Sequence, residues 1–121
     1  AHSMDALLRG GGPDRVMQGM TAGMATTIGV VATTARLNKT QATQLAGLAH
    51  HGLSRSVNPI SVADGDTLFA LATGTAGHAG DATALGAMAA EAVARAIRNA
   101  VKAAQGLSDP ALPSARDLRR V

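Results

Sequence analysis

The chain has 121 residues with 11 basic and 8 acidic side chains, a formal charge of +3, and no cysteine, which excludes disulfides and thiolate metal sites. One Phe and no Trp or Tyr leave the core to Ala, Val, Leu, Ile and Met; an aromatic side chain buries roughly 150 to 250 Å², so a chain this poor in them is expected to complete its core against another subunit. No apolar run reaches the roughly 18 residues of a spanning helix and no secretory signal precedes the first strand, so a cytoplasmic location with no membrane partner is expected.

Residues 1 to 25 contain Gly10, Gly11, Gly12, Pro13, Gly19 and Gly23, a density of backbone freedom that disfavours regular structure and reads as a linker. Ala1-His2-Ser3-Met4 has the look of an expression-tag remnant, and Met17, Met20 and Met24 alternatively form a small hydrophobic clasp. Thr26 to Thr34 reads as a strand, because Ile28, Val30 and Val31 are β-branched and the run is too short for a helix; its near-continuous apolarity predicts burial on both faces. Small residues deliver Thr26 and Thr27 to the strand end with nothing bulky to shield them. Asn38 and Gln41 are spaced as a capping box, and Leu45, Ala46, Leu48, Ala49 and Leu53 recur at helical spacing up to about Ser54. His50 and His51 are adjacent, about 100° apart on a helix, and cannot chelate one metal as an i, i+4 pair could; they read as surface or edge residues.

Asn58 and Pro59 end that helix, and Ile60-Ser61-Val62 is a short extended stretch before the acidic turn Asp64-Gly65-Asp66. A calcium loop needs six to eight oxygen ligands, which this sequence does not supply nearby, so no metal is expected there. Thr67 to Thr73 is a second apolar strand. The loop Gly74 to Gly80 lacks the Gly-Lys-Ser/Thr ending of a phosphate cradle. Asp81 caps a long helix carrying Leu85, Met88, Ala89, Val93, Ala96, Ile97, Ala100 and Val101 on one stripe and ending near Gly106; Pro110 and Pro113 make residues 107 to 121 a tail. Six basic residues lie from Arg95 onward, but no aromatic side chain is interleaved to stack on bases, so a solvated helix face is expected and a nucleic-acid partner is not.

The two strand entries form a pair. Gly23-Met24-Ala25-Thr26-Thr27-Ile28-Gly29-Val30-Val31-Ala32-Thr33 and Asp64-Gly65-Asp66-Thr67-Leu68-Phe69-Ala70-Leu71-Ala72-Thr73-Gly74, with Leu45 to Arg55 between them, resemble the β-subunit of the self-cleaving family of L-aminopeptidase/D-esterase, β-peptidyl aminopeptidases and nylon-oligomer hydrolase over about residues 24 to 105. The resemblance implies an α+β chain, part of a four-layer α/β/β/α sandwich completed by a larger α-chain, with residues 26 to 106 as the catalytic β-subunit domain. It implies a cut between Ala25 and Thr26 that leaves Thr26 as the nucleophile. The family's paired acidic or hydroxyl side chains, 38 and 40 positions beyond the nucleophile, fall on Asp64 and Asp66. Relatives usually carry Asn or Gly where this chain has Ala25.

That departure brings in a second resemblance, because Met24-Ala25-Thr26 is similar to the cleavage site of ornithine acetyltransferase, which also has an Asp-Gly-Asp-Thr turn. There a short polar insertion follows the turn, whereas Thr67 here runs straight into Leu68-Phe69-Ala70-Leu71, and the aminopeptidase reading is preferred. On it, Thr26 supplies both the hydroxyl and an α-amine whose unperturbed pKa of roughly 7.7 to 8.0 suits a base, Asp64 and Asp66 orient them, and no cofactor is needed. Small peptides, amides or esters are the implied substrates, and an oligomer of αβ units with an α-chain oxyanion hole is the implied assembly. A non-catalytic α/β interaction domain is the remaining alternative, and a cut before Thr26 separates it from both enzymatic readings.

Overall fold

The computed structural model describes residues 8–9, 26–58, 60 and 64–120. The elements run β1 (Ile28–Thr33), α1 (Lys39–Ser54), β2 (Thr67–Ala72), α2 (Ala82–Ala103), a hairpin of β3 (Leu107–Ser108) and β4 (Ala111–Leu112), and a 3-10 turn over Asp117–Arg120. The linker expected over residues 1 to 25 and the stretch Ser61-Val62 lie outside the described residues.

β1 and β2 pair in parallel, with Ile28 opposite Thr67 and Thr33 opposite Ala72. A parallel pair requires a crossover, and α1 supplies it. Both helices pack on one face of this two-stranded sheet. Val31 and Leu68 point inward from the strands to meet Leu45, Ala49 and Leu53 of α1 and Ala89 and Val93 of α2. The architecture is therefore α+β, with a helical layer on a small sheet.

The opposite face of the sheet carries Ile28, Val30, Phe69 and Leu71, which are 71%, 64%, 55% and 55% exposed. The burial of β1 on both faces that its apolarity predicts is thus met on one face only among the described residues. Period-2 alternation explains why: residues with odd numbers in β1 face the helices and those with even numbers face away. The strand also starts two residues later than predicted, at Ile28, because the Thr27 amide is taken by a side chain and not by a ladder partner.

The helix boundaries follow from their caps. The Asn38 side chain accepts from the Gln41 amide at 2.9 Å and the Gln41 side chain accepts from the Asn38 amide at 2.9 Å, so the predicted capping box is present. Asp81 accepts from the Ala84 amide at 2.7 Å and starts α2 as predicted. α2 stops at Ala103, slightly before Gly106, and the guanidinium of Arg116 donates to the Lys102 carbonyl at 3.1 Å, which serves one of the carbonyls a helix end leaves unpaired. Through Arg116 the segment after α2 is thereby tied to the helix end. There Asp117 accepts from both the amide and the hydroxyl of Ser114, at 2.8 and 2.7 Å, and these bonds lower its pKa.

Glu91 engages two of the three basic residues of α2 and one at the end of α1. Its carboxylate meets Arg95 at 2.6 Å, Arg55 at the end of α1 at 2.9 Å and Arg98 at 3.7 Å. The hydrogen bond from Arg95, then that from Arg55, lowers the Glu91 pKa. One carboxylate against three guanidiniums leaves this exposed face basic. No helix among the described residues is long and apolar enough to cross a membrane.

The two helices approach closely through glycine. A Cβ added at Gly52 would run into the carbonyl of Ala90 and lie 2.8 Å from the Val93 Cβ, whereas one added at Gly47 meets nothing within 4 Å. Gly52→Ala is expected to destabilise the fold by about 1 to 3 kcal/mol through overpacking, while Gly47→Ala stabilises it by about 1 kcal/mol because alanine is the better helix former. Urea unfolding of the two variants checks the opposite signs. A second expectation concerns pH. A carboxylate with a lowered folded-state pKa adds stability that is complete above its unfolded value and is lost as the pH falls through the folded value. Glu91→Gln should therefore lower the melting temperature at neutral pH, and the gap to the parent should close on acidification below the ordinary glutamate range.

Candidate functional site

The amino-terminal ends of β1 and β2 lie side by side because the strands are parallel and their first residues pair. This brings the residues before β1 against the acidic turn before β2, although 39 positions separate Thr27 from Asp66. The Thr27 amide donates to Asp66 Oδ1 at 2.7 Å. The Thr27 carbonyl accepts from the Thr67 amide at 2.9 Å. Both backbone groups of Thr27 are thus held by consecutive residues of the other strand entry, and the bond to Asp66 is of the short, charge-assisted kind when the carboxylate is ionised.

One residue earlier, Thr26 is exposed, while Asp64 and Asp66 are half-buried. The turn passes directly against the Thr26 side chain. A Cβ placed on Gly65 would lie 2.9 Å from Thr26 Oγ1, 3.8 Å from its Cγ2 and 3.9 Å from its Cβ. Gly65 is therefore required by proximity: the missing side chain leaves the room that the hydroxyl occupies. The Thr67 hydroxyl donates a long bond of 3.4 Å to the Gly65 carbonyl, tying the turn to the start of β2.

Of the residues singled out in the sequence, Thr26, Asp64 and Asp66 thus come to one end of the sheet, and Ala25 lies outside the described residues. The direct contact made by Asp66 is with the amide of Thr27. Two participants were not singled out beforehand. Gly65 read only as a turn former, and the Thr27 backbone carried no sequence signal at all. Among the described residues no three His, Asp or Glu side chains converge to hold a metal ion. The three described histidines stand apart from the site. His51 is exposed and His50 partly so on α1, and His78 belongs to the loop at the other end of the strands. There the Arg36 amide donates to the His78 carbonyl and the Ala76 amide to the Thr34 carbonyl, both at 2.9 Å, with Gly74 and Gly77 at φ of 71° and 75°. In that loop the Ala76 and Gly77 amides are taken by the protein's own backbone carbonyls, whereas a phosphate cradle leaves its amides to the ligand.

Residues 3–111 match peptidase family S58, and the chain belongs to this family, the L-aminopeptidase/D-esterase family that its sequence resembles. It is 38% identical over 107 residues to an uncharacterized aminopeptidase of Mycobacterium tuberculosis, an alignment covering 77% of this chain and 30% of the relative. A similar protein of Mycobacterium leprae, also an uncharacterized aminopeptidase, is 40% identical over 97 residues, covering 69% of this chain and 27% of the relative. The chain spans about 30% of the length of the curated relatives it matches.

The clamp on Thr27 yields a stability test. Asp66→Ala leaves the Thr27 amide without its acceptor and is expected to cost about 1 to 3 kcal/mol, whereas Asp66→Asn keeps an acceptor oxygen and should cost less. Urea unfolding of the purified variants measures both, and equal losses would show that charge, not the acceptor, holds the turn.

Proposed function

We propose that this chain is the nucleophile-bearing part of a self-processing hydrolase that cleaves amide or ester bonds of small peptides and related substrates. The observation that carries the reading is the seating of the Thr26 hydroxyl against Gly65, beside the bond from the Thr27 amide to Asp66. Membership of a peptidase family and similarity to proteins named aminopeptidases support it from a separate direction.

Self-processing begins with attack of Thr26 Oγ1 on the carbonyl carbon of Ala25. The C–N bond to Thr26 breaks, the acyl group passes to the oxygen as an ester, and the hydroxyl proton ends on the nitrogen. The shift frees the α-amine of Thr26, and water then hydrolyses the ester to release the Ala25 carboxylate and the Thr26 hydroxyl. In turnover the amine, with an unperturbed pKa of roughly 7.7 to 8.0, takes the hydroxyl proton as Oγ1 attacks the substrate carbonyl. The leaving amine or alcohol departs with a proton, and water releases the acyl group from Thr26 as an acid.

The neighbours of Thr26 suit these steps. Asp66 holds the peptide unit that follows the nucleophile, which anchors the backbone from which Thr26 projects. Asp64 and Asp66 put negative charge on the turn that passes Thr26, which favours the ammonium form of the amine between steps. The oxyanion hole and most of the substrate pocket come from a larger α-chain of the same precursor. The bare sheet face of Ile28, Val30, Phe69 and Leu71 is apolar surface for such a partner to cover, as a four-layer sandwich requires, and αβ units of this kind assemble as oligomers.

The deciding experiment uses the full precursor. Intact mass should show a cut between Ala25 and Thr26, and Thr26→Ala should abolish both the cut and hydrolysis of amino-acid amides, while Thr27→Ala retains both. Loss of activity in Thr27→Ala with retention in Thr26→Ala would move the nucleophile by one residue. Gly65→Ala, which intrudes on the hydroxyl without touching the core, should slow the cut by about tenfold or more, as misplacement of a reacting atom does. An unslowed Gly65→Ala precursor would remove the turn from the site.

A further inference from the structure

Thr26 and Thr27 are neighbours with the same side chain, and a shift of the preceding acyl group from nitrogen to the side-chain hydroxyl is open in principle to either. Two peptide bonds, Ala25–Thr26 and Thr26–Thr27, therefore compete for the cut. The structure treats the two threonines differently. Thr26 is exposed, and its hydroxyl occupies the room that Gly65 leaves. Thr27 is half-buried and shares the parity of Val31, which faces the helices. Its amide donates to Asp66 Oδ1 at 2.7 Å and its carbonyl accepts from the Thr67 amide at 2.9 Å, so its backbone is held at both polar groups.

We propose that this clamp sets the register of self-processing: Asp66 withdraws the Thr26–Thr27 bond from cleavage and leaves Ala25–Thr26 as the bond that is cut. A cut one residue late needs Thr27 Oγ1 to add to the carbonyl carbon of Thr26, the C–N bond to Thr27 to break, and the hydroxyl proton to pass to that nitrogen. On the way the Thr27 nitrogen must leave the amide plane and become pyramidal. A short bond from its N–H to a carboxylate opposes this in two ways. It ties the nitrogen to a turn that is itself anchored at the start of β2. It also pushes electron density into the amide, which raises the double-bond character of C–N and makes the Thr26 carbonyl a poorer electrophile. Loss of a hydrogen bond to a charged acceptor corresponds to about 10- to 100-fold in rate, which is the discrimination the clamp supplies. The inference rests on the self-processing reading above and gives Asp66 a task separate from orienting Thr26: protection of the bond that must survive.

The test uses the full precursor in hydroxylamine, which cleaves the ester that an acyl shift forms, and reads the first residue of each fragment by mass. The unaltered precursor should yield fragments that begin at Thr26. In Thr26→Ala that route is closed, and the clamp should keep fragments beginning at Thr27 at background. Adding Asp66→Ala to Thr26→Ala should make such fragments form at least about tenfold faster, and adding Asp66→Asn, which keeps a neutral acceptor, should raise them less. A further Thr27→Ala should remove them. Equal rates with and without Asp66 overturn the proposal. A measurement on the unaltered precursor does not depend on how the variants fold: the Thr27 amide, although it precedes β1, should be protected from hydrogen exchange at least about 100-fold, and fast exchange there also overturns the proposal. The two readings fail separately. An unaltered precursor cut before Thr26, with variants indifferent to Asp66, defeats the register role alone, whereas an unaltered precursor that stays whole defeats the nucleophile assignment whatever the variants show.

Discussion

Everything at the candidate site depends on the parallel register of β1 and β2. With Ile28 opposite Thr67, the residues just before each strand meet at one end, and a turn far away in sequence comes to lie on Thr26. A slip by one residue would turn every inward side chain outward, so Val31 and Leu68 in the core fix the site as firmly as any contact within it. The bond from the Thr27 amide to Asp66 then locks the end of the pair that the ladder itself no longer reaches.

The helices maintain this register from one side. α1 is both the crossover and the roof of β2, and α2 is held to it by close approach at Gly52 and by the Glu91 carboxylate shared among Arg55, Arg95 and Arg98. Buried apolar surface supplies the strength here, since exposed ion pairs contribute little each. What the ion pairs add is direction, because Arg55 at the end of α1 and Glu91 on α2 meet only at one relative position of the helices. Among the described residues the other side of the sheet has no such support, and Ile28, Val30, Phe69 and Leu71 stand exposed on it.

Much of this was legible in the sequence because it is local. Asn38 with Gln41, and Asp81 at the head of α2, announce helix starts by spacing alone, and both caps are present. The pairing of the two strand entries was legible only through resemblance, since no local rule joins Thr26 to a turn so distant. Three features were hidden for physical reasons. The exposed face of β1 could not be read from its apolarity, which does not say which face the helices cover. The role of Gly65 lies in an absent side chain, invisible until the neighbouring hydroxyl is placed. The hairpin and the 3-10 turn after Gly106 involve few residues and are held by Asp117 to Ser114 and Arg116 to Lys102, contacts that carry no periodic signal.

The crossover has a further consequence, in time. Contacts between β1 and β2 close a long loop, which makes them late in folding compared with the turns of α1 and α2. While the chain is still being made, Thr26 emerges well ahead of the turn that will meet it and is an ordinary threonine in an ordinary peptide. Under the proposed chemistry the scissile bond is therefore inert until α1 has folded back and set the strands in register. On that proposed chemistry the topology would act as an interlock: a misfolded or truncated chain would never assemble the surroundings that cut it, and cleavage would certify that folding has been completed.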